Sequence, residues 1–190
     1  DAWAGLGADG DNSNDSLTGY LVNTNLVIDE FTTQTGTTGT VGEAGYDFYG
    51  QSFFANVSSI SEVGVWLQES TIEGEVRIAI APDDGSGNPD VNSVLWESTL
   101  LNPSLTGQWF TISGLAIPVT FSVKYWVLID GMNVGATGNS IAGTATDNTD
   151  TGENLIYSND GGVSWTTLPV TLAIIVNSTC PVPIDAGITL

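Results

Sequence analysis

The stretch GEVRIAIA, residues 74–81, alternates apolar and other side chains almost one for one. Val76, Ile78 and Ile80 face one way, and Arg77 and Ala79 the other, which is the period of a strand with one buried face. Runs of this kind recur along the chain. They are rich in Val, Ile, Thr, Tyr and Trp, are punctuated by Gly, Asn, Asp and Pro, and leave almost no helical periodicity. Strands are expected at 20–31, 46–57, 60–68, 74–81, 93–100, 109–113, 119–122, 125–130, 154–158, 164–168 and 171–177. The run YWVLID, 125–130, is continuously apolar, as in a strand covered on both faces or lying at a subunit contact. Short strands joined by short turns point to an all-β sandwich.

Charge narrows the possible partners. The 190 residues hold 22 acids against two basic residues, Arg77 and Lys124, for a net charge of -20. Such a surface has nothing with which to replace counterions on phosphate, so nucleic acid is excluded as a partner and anionic membranes are disfavoured. Charged residues make up only 13% of the chain, leaving a surface of Ser, Thr, Asn and Gly. That composition suits an extracellular or cell-surface setting, where salt or divalent cations screen the carboxylates. No apolar run reaches the roughly 18 residues that span a bilayer. Asp1 fits a mature N-terminus left by removal of a leader peptide. Cys180 is the single cysteine, so an internal disulfide and a four-cysteine zinc site are both ruled out. It is expected to be a small, partly buried residue or to bridge to another copy. Asn14, Asn56 and Asn177 open Asn-x-Ser/Thr sequons.

The absence of histidine removes Ser-His-Asp and Cys-His hydrolysis. Glu62, Glu69, Glu73 and Glu75 lie near expected strand ends. A carboxylate pair can hydrolyse glycosides, but 22 acids bring some pairs together by chance. The expectation is a chain with no catalytic residue.

SNDGGVSW, residues 158–165, reads as a hairpin tip: a carboxylate, two glycines suited to positive φ, then a tryptophan that folds back. The pattern Ser-x-Asp-x-Gly-x-Ser/Thr-Trp resembles the Asp-box of sialidases and many secreted β proteins. In those propellers the box recurs once per blade and sits on the outer rim, whereas here it occurs once. The resemblance therefore implies a structural staple built of Ser158, Asp160, Gly162, Ser164 and Trp165. Asp160 would accept backbone N–H groups, and Trp165 would cover the turn.

Four segments follow one another in a telling order: GQSFFANVSSISEVGVWLQ, GEVRIAIAPDDGSGNPDVNSVLWESTLL, GQWFTISGLAIPVTFSVKYWVLID and YSNDGGVSW. Over roughly residues 50–167 this order resembles β-jelly-roll modules of large bacterial surface and secreted proteins. The resemblance implies a jelly-roll β-sandwich of about ten or eleven strands over 20–178, with an N-terminal extension at 1–19 and a C-terminal one at 179–190. Members of that group are often appended to adhesion or carbohydrate-associated proteins. The closing VPIDAGITL resembles the start of a C-terminal tail on Bacteroidetes surface proteins.

Calcium is the expected cofactor if there is one. DGDNSND sets oxygen donors at alternate positions: Asp9, Asp11, Ser13 and Asp15. It resembles the first half of an EF-hand-like or dockerin-like loop, but has Asn14 at the glycine position and Tyr20 where a bidentate glutamate belongs. PDDGSGNPD offers Asp83, Asp84, Asn88 and Asp90, and is equally well a hairpin connection. TDNTDTGEN offers Asp147, Asp150 and Glu153. Six tryptophans invite sugar stacking. Trp66, Trp96, Trp109 and Trp126 fall inside strand patterns and are expected in the core, while Trp3 and Trp165 lie at an end and a turn.

Neither end belongs to the jelly-roll pattern. Either both pack on their own domain, or one lies in a neighbouring copy as an added strand through Trp3 and Leu6 or through Val182, Ile184, Ile188 and Leu190. Head-to-tail contacts of the second kind propagate into fibres. Two functions follow. One is an extracellular structural subunit that self-assembles into a filament or surface layer by terminal strand exchange. The other is a carbohydrate-binding or adhesive module of a larger surface protein, with glycans as partners.

Overall fold

The computed structural model describes residues 21–42, 45–69, 75–132, 139–146 and 153–183; for the strand residues 21–26, 139 and 179–183 only the backbone is described. Thirteen strands run in chain order: β1 (Leu21–Phe31), β2 (Gln34–Gly42), β3 (Phe48–Phe54), β4 (Ser59–Glu69), β5 (Arg77–Pro82), β6 (Trp96–Glu97), β7 (Gln108–Pro118), β8 (Lys124–Asp130), β9 (Asn139–Ala145), β10 (Leu155–Ser158), β11 (Thr166–Leu168), β12 (Thr171–Leu172) and β13 (Ile174–Pro183). Among the described residues there is no helix, and so none that is long and apolar enough to cross a membrane. Leu26–Ser178 forms one compact unit, and Asp1–Asn25 with Thr179–Leu190 form another.

Eight strands carry a jelly roll. One sheet runs β1-β13-β4-β7, and the other β3-β8-β5-β6. The chain passes from sheet to sheet between β3, β4 and β5, returns to the first sheet at β7, crosses at β8, and closes with β13 beside β1. This is the double Greek key of that fold. The rest is added around it. β2 pairs with β9, which joins the end of β4, and β12 pairs with β9. The β10–β11 hairpin extends the second sheet beyond β3.

Pleat parity builds the core. Val63, Val65 and Leu67 on β4 oppose Ile174 and Val176 on β13 across the first sheet, and all five are fully buried. Tyr49, Gln51 and Phe53 on β3 lie in register with Ile129, Val127 and Tyr125 on β8, and their side chains point inward from the second sheet. Ile78 and Ile80 join them from β5. Each large apolar side chain buried here stabilises the fold by about 1.5–3 kcal/mol. Burial pushes the Tyr49 phenol up to about 12.

The alternation expected in GEVRIAIA is present. Val76, Ile78 and Ile80 are buried inward, while Arg77 reaches Glu97 at 3.7 Å on the other face. The stretch 119–122 is a turn and not a strand, with Ser122 at φ 61°. The strand expected over 93–100 shrinks to Trp96–Glu97.

Candidate functional site

On the outer face of the second sheet, Trp165 of the 158–165 hairpin tip and Val91 of the 83–95 loop pack on a buried cluster. Ser158 donates its hydroxyl to Asp160 Oδ1 at 2.8 Å and accepts the Gly162 N–H at 2.9 Å. Asp160 Oδ1 also accepts the N–H groups of Val163 and Ser164 at 3.1 and 2.9 Å, and the Ser164 hydroxyl donates to Oδ2. Gly161 and Gly162 take φ of 73° and 84°, the left-handed region that this tip requires. The Gly161 N–H donates to Asp47 Oδ2 at 2.8 Å, which ties the tip to the entry of β3. Trp165 folds back, donates its indole N–H to the Gly162 carbonyl at 3.1 Å, and lies 6.0 Å from the Phe48 ring.

Trp165 and Val91 pack on a second apolar cluster of Ala79, Ala81, Trp126, Leu128 and Ile156. That cover explains why every residue of β8 after Lys124 is buried. The hairpin tip is thus tied to β3 and packed on the second sheet.

The Ser164 hydroxyl above all, then the Ser164 N–H and the Ser158 hydroxyl, hold the Asp160 carboxyl down at about 2, against an ordinary 3.8. A folded-state value below the ordinary one means that the staple contributes above about pH 4 and fades as pH falls from about 4 towards 2. An NMR titration of side-chain carboxyl carbons should therefore place the Asp160 midpoint at about 2. A midpoint near 3.8 would mean that the staple does not form.

The carboxylates of Asp83, Asp84 and Asp90, expected as calcium donors, accept backbone N–H groups within their turn. Asp83 Oδ1 accepts the N–H groups of Gly85 and Gly87, and Asp84 Oδ1 those of Ser86 and Asn88. The Ser86 and Asn88 N–H groups hold the Asp84 carboxyl below its ordinary range. Asp90 Oδ1 accepts the Asn92 N–H. Asp83 Oδ2 accepts the Trp126 indole N–H at 3.1 Å and lies 4.0 Å from Lys124 Nζ, which itself sits 4.5 Å from the centre of the Trp126 ring. Among the described residues no group of three or more His, Cys, Asp or Glu is gathered to hold a metal.

Asp9, Asp11, Ser13, Asp15, Glu73, Asp147 and Asp150 lie outside the described residues, as do Trp3, Leu6, Ile184, Ile188 and Leu190. Val182 is in β13, with only its backbone described, and the same holds for Cys180. Glu153 is buried beside the core, where its carbonyl accepts the Gln51 amide N–H at 2.9 Å.

The outer face of the first sheet is different. Val63, Val65 and Leu67 occupy the inward positions of β4, so Glu62, Gly64, Trp66 and Gln68 point outward. Trp66 is directly opposite Trp109 on β7, a register that puts both residues on one face of the sheet. Both are half-buried and pack against the main core cluster, so the expectation that they belong to the core holds in part. Trp96 does pack inward, and Trp126 is buried, though under the second sheet's outer cover.

Trp66 can lie low because its neighbours have no side chains. A Cβ at Gly107 would stand 1.7 Å from Trp66 Cζ2, and one at Gly143 would stand 2.9 Å from Trp66 Cε3. Along the same face, Glu62 Oε1 accepts the Asn177 amide N–H at 2.9 Å, and Thr111 Oγ1 and Ile175 cover Gly64. The face joins an aromatic pair to a carboxylate roughly 13 Å away, four residues along one strand. Both basic residues are elsewhere, on β5 and β8 of the second sheet. Parity was the available sequence signal for this face; the unbroken apolar run Val65-Trp66-Leu67 hid it.

No protein-family model matches the chain, and no curated protein matches it. Among solved structures, the fold is similar to the crystal structure of the cysteine protease and lectin-like domains of Cwp84, a surface-layer-associated protein of Clostridium difficile. The identity is 14% and the TM-score 0.52; the match covers 70% of this chain and 32% of that one. The chain thus spans about a third of the length of the protein it resembles, and at this identity the likeness is one of fold.

Proposed function

We propose that this chain is a non-catalytic module of an extracellular or cell-surface protein that holds a glycan on the outer face of its first sheet. The observation that carries this reading is the Trp66–Trp109 pair, half-buried on the outward positions of adjacent strands. An indole face carries negative charge density and attracts the weakly positive C–H groups of a pyranose ring. A sheet face suits an extended chain better than a small molecule, which calls for a concave pocket. The lectin-like domain present in the similar structure agrees with this reading. So does the acidic, lysine-poor surface, which suits the outside of a cell. A glycan array read with the wild type, Trp66→Ala and Trp109→Ala tests it. Binding by the wild type that both substitutions weaken by roughly 5- to 150-fold is expected, if a sugar ring stacks about as well as a nucleobase does, at about 1–3 kcal/mol per aromatic contact. Array signals equal in all three proteins would sink it.

A second reading is self-assembly by strand exchange. Among the described residues β13 is the one strand that pairs with β1, so β1 is an edge strand, with its Val27 carbonyl accepting the Asn56 amide N–H. Its residues 21–31 contain no proline or lysine to blunt that edge. Electron microscopy of purified protein with and without chelator tests this, and isolated monomers at every concentration would count against it.

A further inference from the structure

Given that reading of the Trp66 face, we infer that its ligand is an uncharged glycan chain with mainly equatorial hydroxyls, of the gluco type, and not a uronate, sialylated or sulfated polymer. Three observations carry the inference.

The first is charge. Arg77 and Lys124 are the only cationic side chains in the sequence, and both stand on the second sheet. Each faces a carboxylate there: Arg77 is 3.7 Å from Glu97, and Lys124 is 4.0 Å from Asp83. The Trp66 face holds Glu62 and no cation, within a chain of charge -20. An anionic sugar arriving there would lose hydration and gain no counter-charge.

The second is shape. Gly107 and Gly143 let the Trp66 indole down against the strands, with Trp109 beside it across the pair. The result is an indole seated low on the sheet, with Gln34 beside it across Gly143. Equatorial hydroxyls leave both faces of a pyranose lined with C–H groups, so such a ring rests on a floor of this kind. An axial hydroxyl obstructs the face that carries it, so such a ring has one face to lay on the floor where a gluco ring has two.

The third is the polar equipment. Glu62, Thr111 and Gln68 lie on the same outward face as Trp66 and Trp109. A carboxylate accepts hydrogen bonds from sugar hydroxyls, and those hydroxyls are the donors that an uncharged chain brings.

The test is calorimetric titration of the full chain with cellohexaose, chitohexaose, polygalacturonate and heparin at low and at about 0.5 M salt. Gly107→Ala drives a Cβ into the space of the indole, and Trp109→Ala removes one aromatic ring without touching Trp66. The expected result is binding of cellohexaose or chitohexaose at least roughly tenfold tighter than of either anionic polymer, and nearly independent of salt. Gly107→Ala and Trp109→Ala should each weaken it roughly tenfold while near-ultraviolet circular dichroism reports a folded protein.

Tighter binding of polygalacturonate or heparin that still depends on Trp109 would overturn the uncharged-ligand inference and leave the glycan-face reading standing. Failure of all four probes, together with a glycan array indifferent to Trp66 and Trp109, would end both. Strong binding that neither variant weakens would place the ligand elsewhere and overturn the inference as well.

Discussion

Trp126→Ala should destabilise the fold by about 3–5 kcal/mol, the range for removing a large aromatic side chain from a packed interior. The residue lies on the outer face of its sheet, where a lone jelly-roll layer would leave it in water. It is instead 2% exposed, packed with Ala79, Ala81, Leu128 and Ile156 under Val91 and Trp165. Its indole N–H also holds Asp83 at 3.1 Å, and its ring carries the Lys124 ammonium at 4.5 Å. Loss of the ring therefore opens a cavity, frees the root of the 83–95 loop and removes the surface on which the Asp-box hairpin rests. Equilibrium urea unfolding should show the loss directly, with a fall in melting temperature of roughly 6–20 °C. Trp126→Phe keeps most of the packing and loses the hydrogen bond to Asp83, at a cost of about 1–2 kcal/mol. A change within about 0.5 kcal/mol for Trp126→Ala is the value for an exposed surface residue, and would show that the cover is not in place.

Gln51→Leu should cost about 2–4 kcal/mol although it puts a hydrocarbon of similar size into an apolar core. Gln51 is fully buried between the sheets. Its Oε1 accepts the Leu172 N–H at 3.1 Å, and its Nε2 donates to the Glu153 carbonyl at 2.9 Å. The side chain thus joins β3 to the start of β12 and to the approach to β10, segments more than 100 residues away in sequence. Leucine leaves the Leu172 N–H buried without a partner, which is the dominant part of the cost. Urea unfolding measures the total. Hydrogen exchange separates its parts, because the Leu172 amide should lose more protection than the amides of β4. Equal stability of Gln51→Leu and wild type would mean that the core tolerates these backbone groups unpaired.

Much of the sandwich was legible where one face of a strand is buried and the other is not. GEVRIAIA displays that pattern openly, and Ile78 and Ile80 point where alternation puts them. YWVLID was legible as a strand either covered on both faces or lying at a subunit contact, and Val91 and Trp165 of this same chain cover its outer face. The hairpin tip was legible because its chemistry is local: Ser158, Asp160 and Ser164 satisfy one another within seven residues.

Strands β2 and β9 were not legible. QTGTTGTVG and NSIAGTA offer threonine and glycine where a reader looks for apolar alternation, so they pass for loops. They form strands because they pair with each other through two register shifts, and because the Thr38 hydroxyl accepts the Ala142 N–H at 3.1 Å. Their pairing is tertiary, and no window of either segment contains it. The turn at 119–122 erred the other way. Val119 and Phe121 suggest a strand, but the chain must reverse between β7 and β8, and Ser122 takes a left-handed conformation to do so.

The Trp66 face was missed for a related reason. Trp66 stands between Val65 and Leu67, and an unbroken apolar run conceals which residues face the core. Only the fixed parity of Val63, Val65 and Leu67 turns Trp66 outward, and only the register with β7 brings Trp109 beside it. Glycines 107 and 143 make room for the indole from two different strands or their flanks, 36 residues apart, a relation that appears only once the sheet is assembled.

Affinity electrophoresis through gels containing a soluble neutral β-glucan or glycol chitin asks the central question in one step. The wild type and a Trp66→Ala/Trp109→Ala double variant with a matched unfolding transition run side by side. Retardation of the wild type in at least one gel, with free migration of the variant, is the predicted result. Identical mobility of the two proteins in every gel would contradict the account.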